Sequence, residues 1–149
     1  MQIIRNIWCA GRNFSDHARE LNNPIPTEPF FFLKAGSCAV YPGQPIRLPS
    51  FSEMIAYELE IALEFNAHLQ IERACLALDL TARDLQLKAK EKFLPWTLSK
   101  SFPASCPLGP FFPFPGFDAP LAFELFVNGQ LRQQEIGRAS CRERVCQYV

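Results

Sequence analysis

The chain has 149 residues, of which 48% are hydrophobic and 20% charged, the composition of a globular domain with a core of its own. Its 15 basic and 15 acidic residues give a formal net charge of zero, which argues against an electrostatic nucleic-acid binder. Its apolar runs are too short for a membrane span and its six cysteines contain no CxxC pair, so we expect neither a membrane segment nor a zinc site.

The first predicted elements are short strands separated by loops. Residues 3–10, IIRNIWCA, predict a buried strand. A brief helical turn follows, and it places His17 and Glu20 on one face. After a proline-rich loop, FFFLK at 30–34 predicts a strand, and residues 39–49 predict a turn and an edge strand because their prolines are tolerated at an edge.

The clearest pattern lies at residues 56–65, AYELEIALEF, where the apolar residues alternate strictly with the others. A period of two predicts a strand. A strand sends Glu58 and Glu60 to the same face, with Cα atoms roughly 7 Å apart, whereas a helix would send them to opposite sides. Two like charges on one face of a core strand therefore need an explanation.

The second half begins with another buried strand, at residues 74–79, and a helix from near Ala82 for which Thr81 is a plausible cap. The segment that carries Lys100 is predicted to be a loop. Residues 103–120 hold many prolines and should be irregular. Asn-Gly at 128–129 predicts a turn between one strand and a second strand that is just starting.

Three carboxylates fall at the ends of the two central strands, since Asp79 ends the strand that follows Glu58 and Glu60. They would repel one another unless a positive group lay between them, and a hard divalent cation prefers such oxygen ligands. The alternative is a solvated polar face of an antiparallel strand, which the spacing alone favours.

Six segments occur in an order that resembles a known family: GRNFSDHARE, FFFLK, YELE, LDLTARDLQ, LPWTLSKSF and VNGQLRQ. Together they resemble the catalytic domain of the fumarylacetoacetate hydrolase superfamily, and most of all its small acylpyruvases and oxaloacetate decarboxylases. The likeness covers about residues 4–134. It implies a mixed β fold with few short helices, an incomplete β-roll of that family, because the family fold continues beyond the VNG hairpin.

The resemblance also implies site residues. The ligands of Mg²⁺ or Mn²⁺ would be Glu58, Glu60 and Asp79. The catalytic side chains would be His17, Glu20 and Lys100. The residues that bind substrate or support the pocket would be Arg12, Asn13, Lys34, Arg83 and Gln86.

Several of these residues also have an ordinary interpretation. Lys34 and Lys100 are by default solvated side chains. Arg83 and Asp84 could form a salt pair at the start of the helix. Glu64 shares the face of the two ligands, but no family motif covers it, so we interpret it as a surface residue.

The function implied by the resemblance is metal-dependent hydrolysis of a C–C bond in a 2,4-dioxo acid, an acylpyruvate or fumarylpyruvate-like compound, which releases pyruvate. His17, oriented by Glu20, would take a proton from water. One alternative is a lyase on the same site, either an oxaloacetate decarboxylase or a 2-oxo acid hydratase of aromatic catabolism. The other alternative is an inactive, truncated fragment.

The ends of the chain carry further expectations. We interpret residues 1–134 as a partial catalytic domain, and residues 135–149 as a non-native read-through tail because EIGRASCRERV resembles a translated sequencing-library adapter. The start lacks a secretory h-region, so a cytoplasmic location is expected. The expected partners are a small 2-oxo acid and, in the full-length protein, a second copy in a homodimer.

One departure from the family bears on the site. The segment between Glu60 and Asp79 is shorter than in relatives, so NAHLQIERACLALD must connect the two strands directly. The relative placement of Glu60 and Asp79 is therefore left open.

Overall fold

The computed structural model describes residues 4–11, 30–116, 121–137 and 146–148. The strands in these residues are β1 (Asn6–Gly11), β2 (Phe30–Ala35), β3 (Ala39–Val40), β4 (Ile55–Phe65), β5 (Ile71–Ala82), β6 (Cys106–Pro107), β7 (Phe112–Pro113), β8 (Leu121–Val127), β9 (Gln130–Gly137) and β10 (Cys146–Tyr148). The helices are α1 (Arg83–Glu91) and α2 (Thr97–Lys100), with a 3-10 turn at Gly36–Cys38. The predicted mixed β fold with few short helices is confirmed, and within these ranges neither helix could cross a membrane.

The central sheet has six strands in the order β2-β1-β10-β4-β5-β7. All its pairs are antiparallel except β10 with β4. Two further pairs stand apart from this sheet, β3 with β6 and β8 with β9. Strand β10 comes from the segment predicted to be a non-native tail, and its backbone pairs with β1 and β4. The division of the chain at residue 134 stays a prediction.

The long hairpin of β4 and β5 forms the middle of the sheet. Its turn is held by Asn66, whose backbone N–H donates to the Gln70 carbonyl at 2.9 Å. The Asn66 side-chain oxygen accepts from the backbone N–H groups of His68 at 2.9 Å and Gln70 at 3.1 Å. A tight turn therefore replaces the longer connection expected for the family, and the register places Glu58 directly opposite Asp79.

The two faces of this hairpin bury different apolar layers, as strand alternation requires. One layer combines β4 and β5 with β1 and β6; its buried members are Ile7, Cys9, Cys38, Ala62, Cys75, Ala77, Cys106 and Leu108. In the other layer, side chains of β8 and of the residue after β7 pack against β4 and β5; its members include Ile61, Leu63, Ala74, Phe114, Leu121 and Phe123. The four cysteines of the first layer are all free thiols.

The predicted Asn-Gly hairpin is confirmed as β8 and β9. Asn128 and Gly129 both have positive φ, 53° and 74°, as a two-residue turn between strands of native twist requires. From β9, the side-chain amide of Gln133 donates to the Leu59 carbonyl at 2.9 Å and accepts from the Leu59 N–H at 2.7 Å. This amide satisfies backbone groups on an edge of β4 that β10 does not reach.

Three local predictions were wrong. Thr81 does not cap α1, because β5 continues to Ala82 and the helix begins without a side-chain cap. The segment before Lys100 forms one helical turn, α2, rather than a loop. The expected edge strand in residues 39–49 is reduced to the two residues of β3.

Helix α1 ends in a Schellman motif. The N–H of Leu94 donates to the Ala89 carbonyl at 2.8 Å, and the N–H of Phe93 donates to the Lys90 carbonyl at 3.2 Å. The residue in the left-handed position is Phe93, with φ of 53°, where glycine is usual. Its ring is 96% exposed. The chain therefore reverses sharply after α1, which brings α2 back onto β5.

Candidate active site

The three predicted metal ligands share one face of the β4–β5 hairpin. Residues directly opposite one another in an antiparallel pair project to the same side, so Glu58 and Asp79 are neighbours across the strands. Glu60 follows Glu58 by two residues and projects to the same side. Glu60 and Asp79 are buried and Glu58 is partly exposed. The structure therefore brings the three carboxylates together.

Two cations from the helical segment join this face. The Nζ atom of Lys100, the last residue of α2, lies 2.5 Å from Asp79 Oδ2 and 3.9 Å from Glu58 Oε2. The Nη2 atom of Arg83, the first residue of α1, lies 3.6 Å from Glu58 Oε1. Acidic and basic groups thus alternate from Arg83 through Glu58 and Lys100 to Asp79.

Gln86 supports Arg83 from the next turn of α1. The Nη1 atom of Arg83 donates to Gln86 Oε1 at 2.6 Å, and Gln86 is buried. Asp84 instead accepts from the Ser52 hydroxyl at 2.6 Å. The interpretation of Arg83 and Asp84 as a helix-start salt pair is therefore wrong, because both side chains have other partners.

Lys34 and Lys100 are buried, so their interpretation as solvated side chains is wrong as well. Lys34 is fully buried and its Nζ atom lies 2.9 Å from Asp79 Oδ1. The same ammonium donates to the carbonyls of Leu80 at 3.0 Å and Ser105 at 3.1 Å, and to the carbonyl of Lys100. Each oxygen of Asp79 therefore faces a different lysine.

The electrostatics separate the two buried carboxylates. Burial, and then the negative charges of Asp79 and Glu58, raise the pKa of Glu60 well above its usual value. Burial alone would also raise the pKa of Asp79, but the ammonium groups of Lys34 and Lys100 outweigh it and hold that pKa below its usual value. Asp79 is therefore a carboxylate that two lysine ammonium groups stabilise, whereas the ionised form of Glu60 is disfavoured.

The donor chemistry of this face fits a divalent cation. Carboxylate oxygens are the ligands that Mg²⁺ and Mn²⁺ prefer, and a cation would relieve the repulsion that acts on Glu60. Among the residues that the structure describes, the buried hydroxyl of Thr81, two residues along from Asp79, has no hydrogen-bond partner. Within the described part of the chain, no three acidic, His or Cys side chains are already arranged to hold a metal ion. Asp79 would therefore have to share its oxygens between the ion and the lysines.

Aromatic rings line the side of the site next to Lys100. The Lys100 ammonium lies 4.6 Å from the centroid of the Phe32 ring, a cation–π contact. Trp96 packs edge-on against Phe30 at 5.2 Å and lies 6.4 Å from Phe32. Sequence reasoning missed these rings, although the signal was present: each aromatic lies within four residues of a site lysine, in FFFLK and WTLSK.

Four predicted site residues lie outside the described residues, namely Arg12, Asn13, His17 and Glu20. Their roles stay predictions. Glu64 can be assessed, and its interpretation as a surface residue is wrong. It is buried, and its Oε2 atom accepts from Arg73 Nε at 2.5 Å.

The chain matches known proteins over most of its length. The profile of the family described as fumarylacetoacetate (FAA) hydrolase C-terminal matches residues 6–141. The chain is 40% identical over 142 residues to "Oxaloacetate tautomerase FAHD1, mitochondrial" of Bos taurus, with 87% of this chain and 64% of the bovine protein covered. It is 39% identical over 143 residues to "Oxaloacetate decarboxylase, mitochondrial" of Dictyostelium discoideum, with 87% of this chain and 66% of that protein covered.

Solved structures have the same fold. The crystal structure of fumarylpyruvate hydrolase from Pseudomonas aeruginosa in complex with Mn²⁺ and pyruvate superposes with a TM-score of 0.76 at 33% identity, covering 89% of this chain and 64% of that chain. The chain thus spans about two thirds of the length of the bacterial enzyme and 64% of the bovine relative.

Proposed function

The chain belongs to the fumarylacetoacetate hydrolase family, and from this premise we propose that it acts on a small 2-oxo acid by stabilising the enolate of that acid. The observation that supports this function best is the face that carries Glu58, Glu60 and Asp79 together with Lys100 and Arg83. Such a face can bind a cation and still offer positive charge to an anionic substrate.

Glu58, Glu60 and Asp79 would hold a divalent cation. When bound, the ion would supply Lewis-acid polarisation of a 2-oxo group and its neighbouring carboxylate. The Mn²⁺ and pyruvate named for the bacterial enzyme support this assignment. Mg²⁺ and Mn²⁺ both accept oxygen ligands, so the donor set does not choose between them.

The chain's own cations have distinct proposed roles. Lys100 is fixed by Asp79 and Phe32, and its ammonium would stabilise negative charge that develops on an enolate oxygen. Arg83 is held by Gln86 at 2.6 Å and by Glu58 at 3.6 Å. Because its longer contact is to a partly exposed carboxylate, Arg83 can turn to bind a carboxylate of the substrate.

Enolate stabilisation is common to the reactions named for the relatives. Tautomerisation moves a proton between carbon and the enolate oxygen, and decarboxylation of oxaloacetate releases carbon dioxide and leaves pyruvate enolate. We conclude that enolate formation from an oxaloacetate-type acid is the function supported best, because proteins at 37–40% identity carry the tautomerase name and another carries the decarboxylase name.

A second candidate is hydrolysis of an acylpyruvate, which the similarity to fumarylpyruvate hydrolase supports. This reaction needs an activated water in addition to the enolate site. His17, oriented by Glu20, is the predicted base. Without attack by water on the distal carbonyl, the C–C bond of an acylpyruvate would stay intact.

One set of assays tests both candidates. The chain is incubated with Mn²⁺ and either oxaloacetate or acetylpyruvate, while enol absorbance and pyruvate formation are followed against blanks of Mn²⁺ alone. We expect activity on oxaloacetate that Glu58→Gln abolishes, and we expect His17→Ala to abolish only acetylpyruvate hydrolysis. Enol absorbance and pyruvate formation that both equal the metal blank for both substrates would favour the remaining alternative, an inactive fragment.

The expected homodimer and cytoplasmic location also stay predictions. The relatives' names carry the word mitochondrial, so fractionation of cells that express the full-length protein would test the location. Light scattering after gel filtration would test the dimer. Sequencing of the transcript beyond codon 134 would test whether residues 135–149 are native.

A further inference from the structure

Lys34 is the most deeply buried of the predicted site residues that the structure describes. Its side chain is fully buried, although it was predicted to bind substrate. An ammonium group has three hydrogens to donate, and that of Lys34 donates to three carbonyls, those of Leu80, Lys100 and Ser105, while it forms an ion pair with Asp79 Oδ1 at 2.9 Å. All its hydrogens therefore have partners inside the protein, and none is free for a ligand.

These partners come from separate parts of the chain. Leu80 and Asp79 belong to β5, Lys100 ends α2, and Ser105 follows in the next turn. Lys34 itself comes from β2, at the far side of the six-stranded sheet. One ammonium group thus joins β2, β5 and the end of α2.

Two of these contacts reach the reactive groups directly. Lys34 forms an ion pair with one oxygen of Asp79, and Lys100 donates a hydrogen bond to the other, so two cations act on the orientation of the carboxylate. Lys34 also holds the backbone carbonyl of Lys100, to which the Ser105 hydroxyl donates at 3.0 Å. Because that carbonyl is anchored, the Lys100 side chain leaves the backbone from a fixed point.

We propose that Lys34 is a positioning residue that orients Asp79 and anchors Lys100, and that it does not touch the substrate. The inference rests on the proposed function only in treating Lys100 and Asp79 as groups of the active site. The rival role is a direct contact between Lys34 and a carboxylate of the substrate, which would require the ammonium to be accessible when the site is open.

Lysine acylation of the unmodified chain, quantified by peptide mass spectrometry, separates the two roles. Lys88, an exposed lysine of α1, is the internal control. We expect Lys34 to react at least about 100-fold more slowly than Lys88, as an amine that is reached only by local opening, and we expect no change when Mn²⁺ and pyruvate are added. A Lys34 that reacts at a rate similar to that of Lys88, and becomes protected by pyruvate, would overturn the proposal.

The same measurement stays informative if the proposed function is wrong. In that case Mn²⁺ and pyruvate would leave Lys100 labelling unchanged, while the difference between Lys34 and Lys88 would remain. Failure of the proposal and failure of the function therefore give different patterns.

A variant tests the anchoring itself. Lys34→Met keeps an unbranched side chain, one atom shorter, but removes its donors, so we expect Lys100 to be acylated at least about tenfold faster. Thiol labelling of Cys75, which is fully buried in the core, reports general unfolding and should stay blocked. Lys88→Met is the matched control and should change neither readout. A folded Lys34→Met chain with unchanged Lys100 labelling would overturn the proposal.

If Lys34→Met exposes Cys75, Ser105→Ala takes its place. This change removes the hydroxyl that donates to the Lys100 carbonyl and accepts from the Phe102 N–H, and we expect Lys100 to react about threefold faster while Cys75 stays blocked. Unchanged labelling of Lys100 would show that Lys34 holds the carbonyl without help from Ser105, and the acylation rates of Lys34 and Lys88 in the unmodified chain would then decide the proposal.

Discussion

Glu60 and Glu64 lie on the same face of β4, four residues apart, and both are buried. Glu64 has a cation of its own, since Arg73 donates to it at 2.5 Å and packs 4.7 Å from the centroid of the Phe111 ring. Glu60 contacts no cation within the described part of the chain, and its neighbours Glu58 and Asp79 repel it. The pair at Glu64 is complete without a ligand, whereas the ionised form of Glu60 would be stabilised by a bound cation.

The difference shows how two glutamates of one strand acquire different roles. A buried carboxylate beside its own arginine gains both Coulomb energy and a hydrogen bond. A buried carboxylate among other carboxylates costs stability in the free protein. Such a cost is common at functional sites, where residues are arranged for binding rather than for stability.

The two glutamates should differ most in their effect on metal affinity. Glu60→Gln should weaken Mn²⁺ binding by at least about 100-fold, because it removes a charged oxygen ligand. Glu64→Gln should leave the affinity within about threefold, since Glu64 is already paired. Isothermal titration calorimetry with Mn²⁺ measures both. Equal losses in the two variants would contradict the separate roles.

Stability without metal should change in opposite directions in the same two variants. Glu60→Gln should raise the free energy of unfolding by about 1–3 kcal/mol, because it removes a repelled, buried charge. Glu64→Gln should lower it by about 1–3 kcal/mol, because Arg73 loses its charged partner. Urea unfolding in EDTA at neutral pH measures both changes. A loss of stability in Glu60→Gln would show that the ionised form of Glu60 is favoured.

The stability of the folded protein should also depend on pH through Glu60 and Asp79. The pKa of Glu60 is raised in the folded state, so the folded protein keeps a proton that the unfolded chain releases. Stability should therefore fall as pH rises from the unfolded pKa towards the folded one, by at most about 1.4 kcal/mol per pH unit. Asp79, with a lowered pKa, acts oppositely: its contribution is present above its unfolded pKa and is lost as pH falls through its folded pKa.

Urea midpoints in EDTA, measured from acid to neutral pH, separate these effects. The fall with rising pH should be present in the unmodified chain and in Glu64→Gln, and absent from Glu60→Gln. Parallel curves for the unmodified chain and Glu60→Gln would mean that Glu60 titrates at its ordinary pKa.

Replacement of Phe111 should have a smaller effect, because its ring only packs beside the Glu64–Arg73 ion pair. Phe111→Leu removes the ring beside Arg73 but keeps an apolar side chain, so it should lower the free energy of unfolding by about 0.5–1 kcal/mol. Mn²⁺ affinity should not change, because Phe111 lies next to the Glu64 pair. A change in affinity would mean that the two ends of the β4 face are coupled.

The sequence predicted the parts of the molecule that depend on local pattern. The strict alternation around Glu58 and Glu60 defined β4, and the Asn-Gly pair defined the β8–β9 hairpin. The family and its candidate ligands followed from ordered motifs; the family match confirms the family, and the ligands stay predictions.

What the sequence could not predict depends on contacts between distant segments. Whether Glu64 is exposed depends on Arg73, which only the tight turn at Asn66 brings opposite it. The burial of Lys34 depends on acceptors 46 to 71 residues away. Thr81 has the residue type of a helix cap, but packing of the long β5 strand overrides that local preference.

The tight turn at Asn66 also bears on the order in which the molecule folds. Glu58 and Asp79 face each other within one hairpin, a contact of short loop length that closes at low entropic cost. Lys34 and Lys100 are joined to it only when remote chain segments dock. We therefore expect a nascent hairpin whose acidic side chains repel one another until the lysines arrive, so that a divalent salt added during refolding should accelerate the formation of this unit.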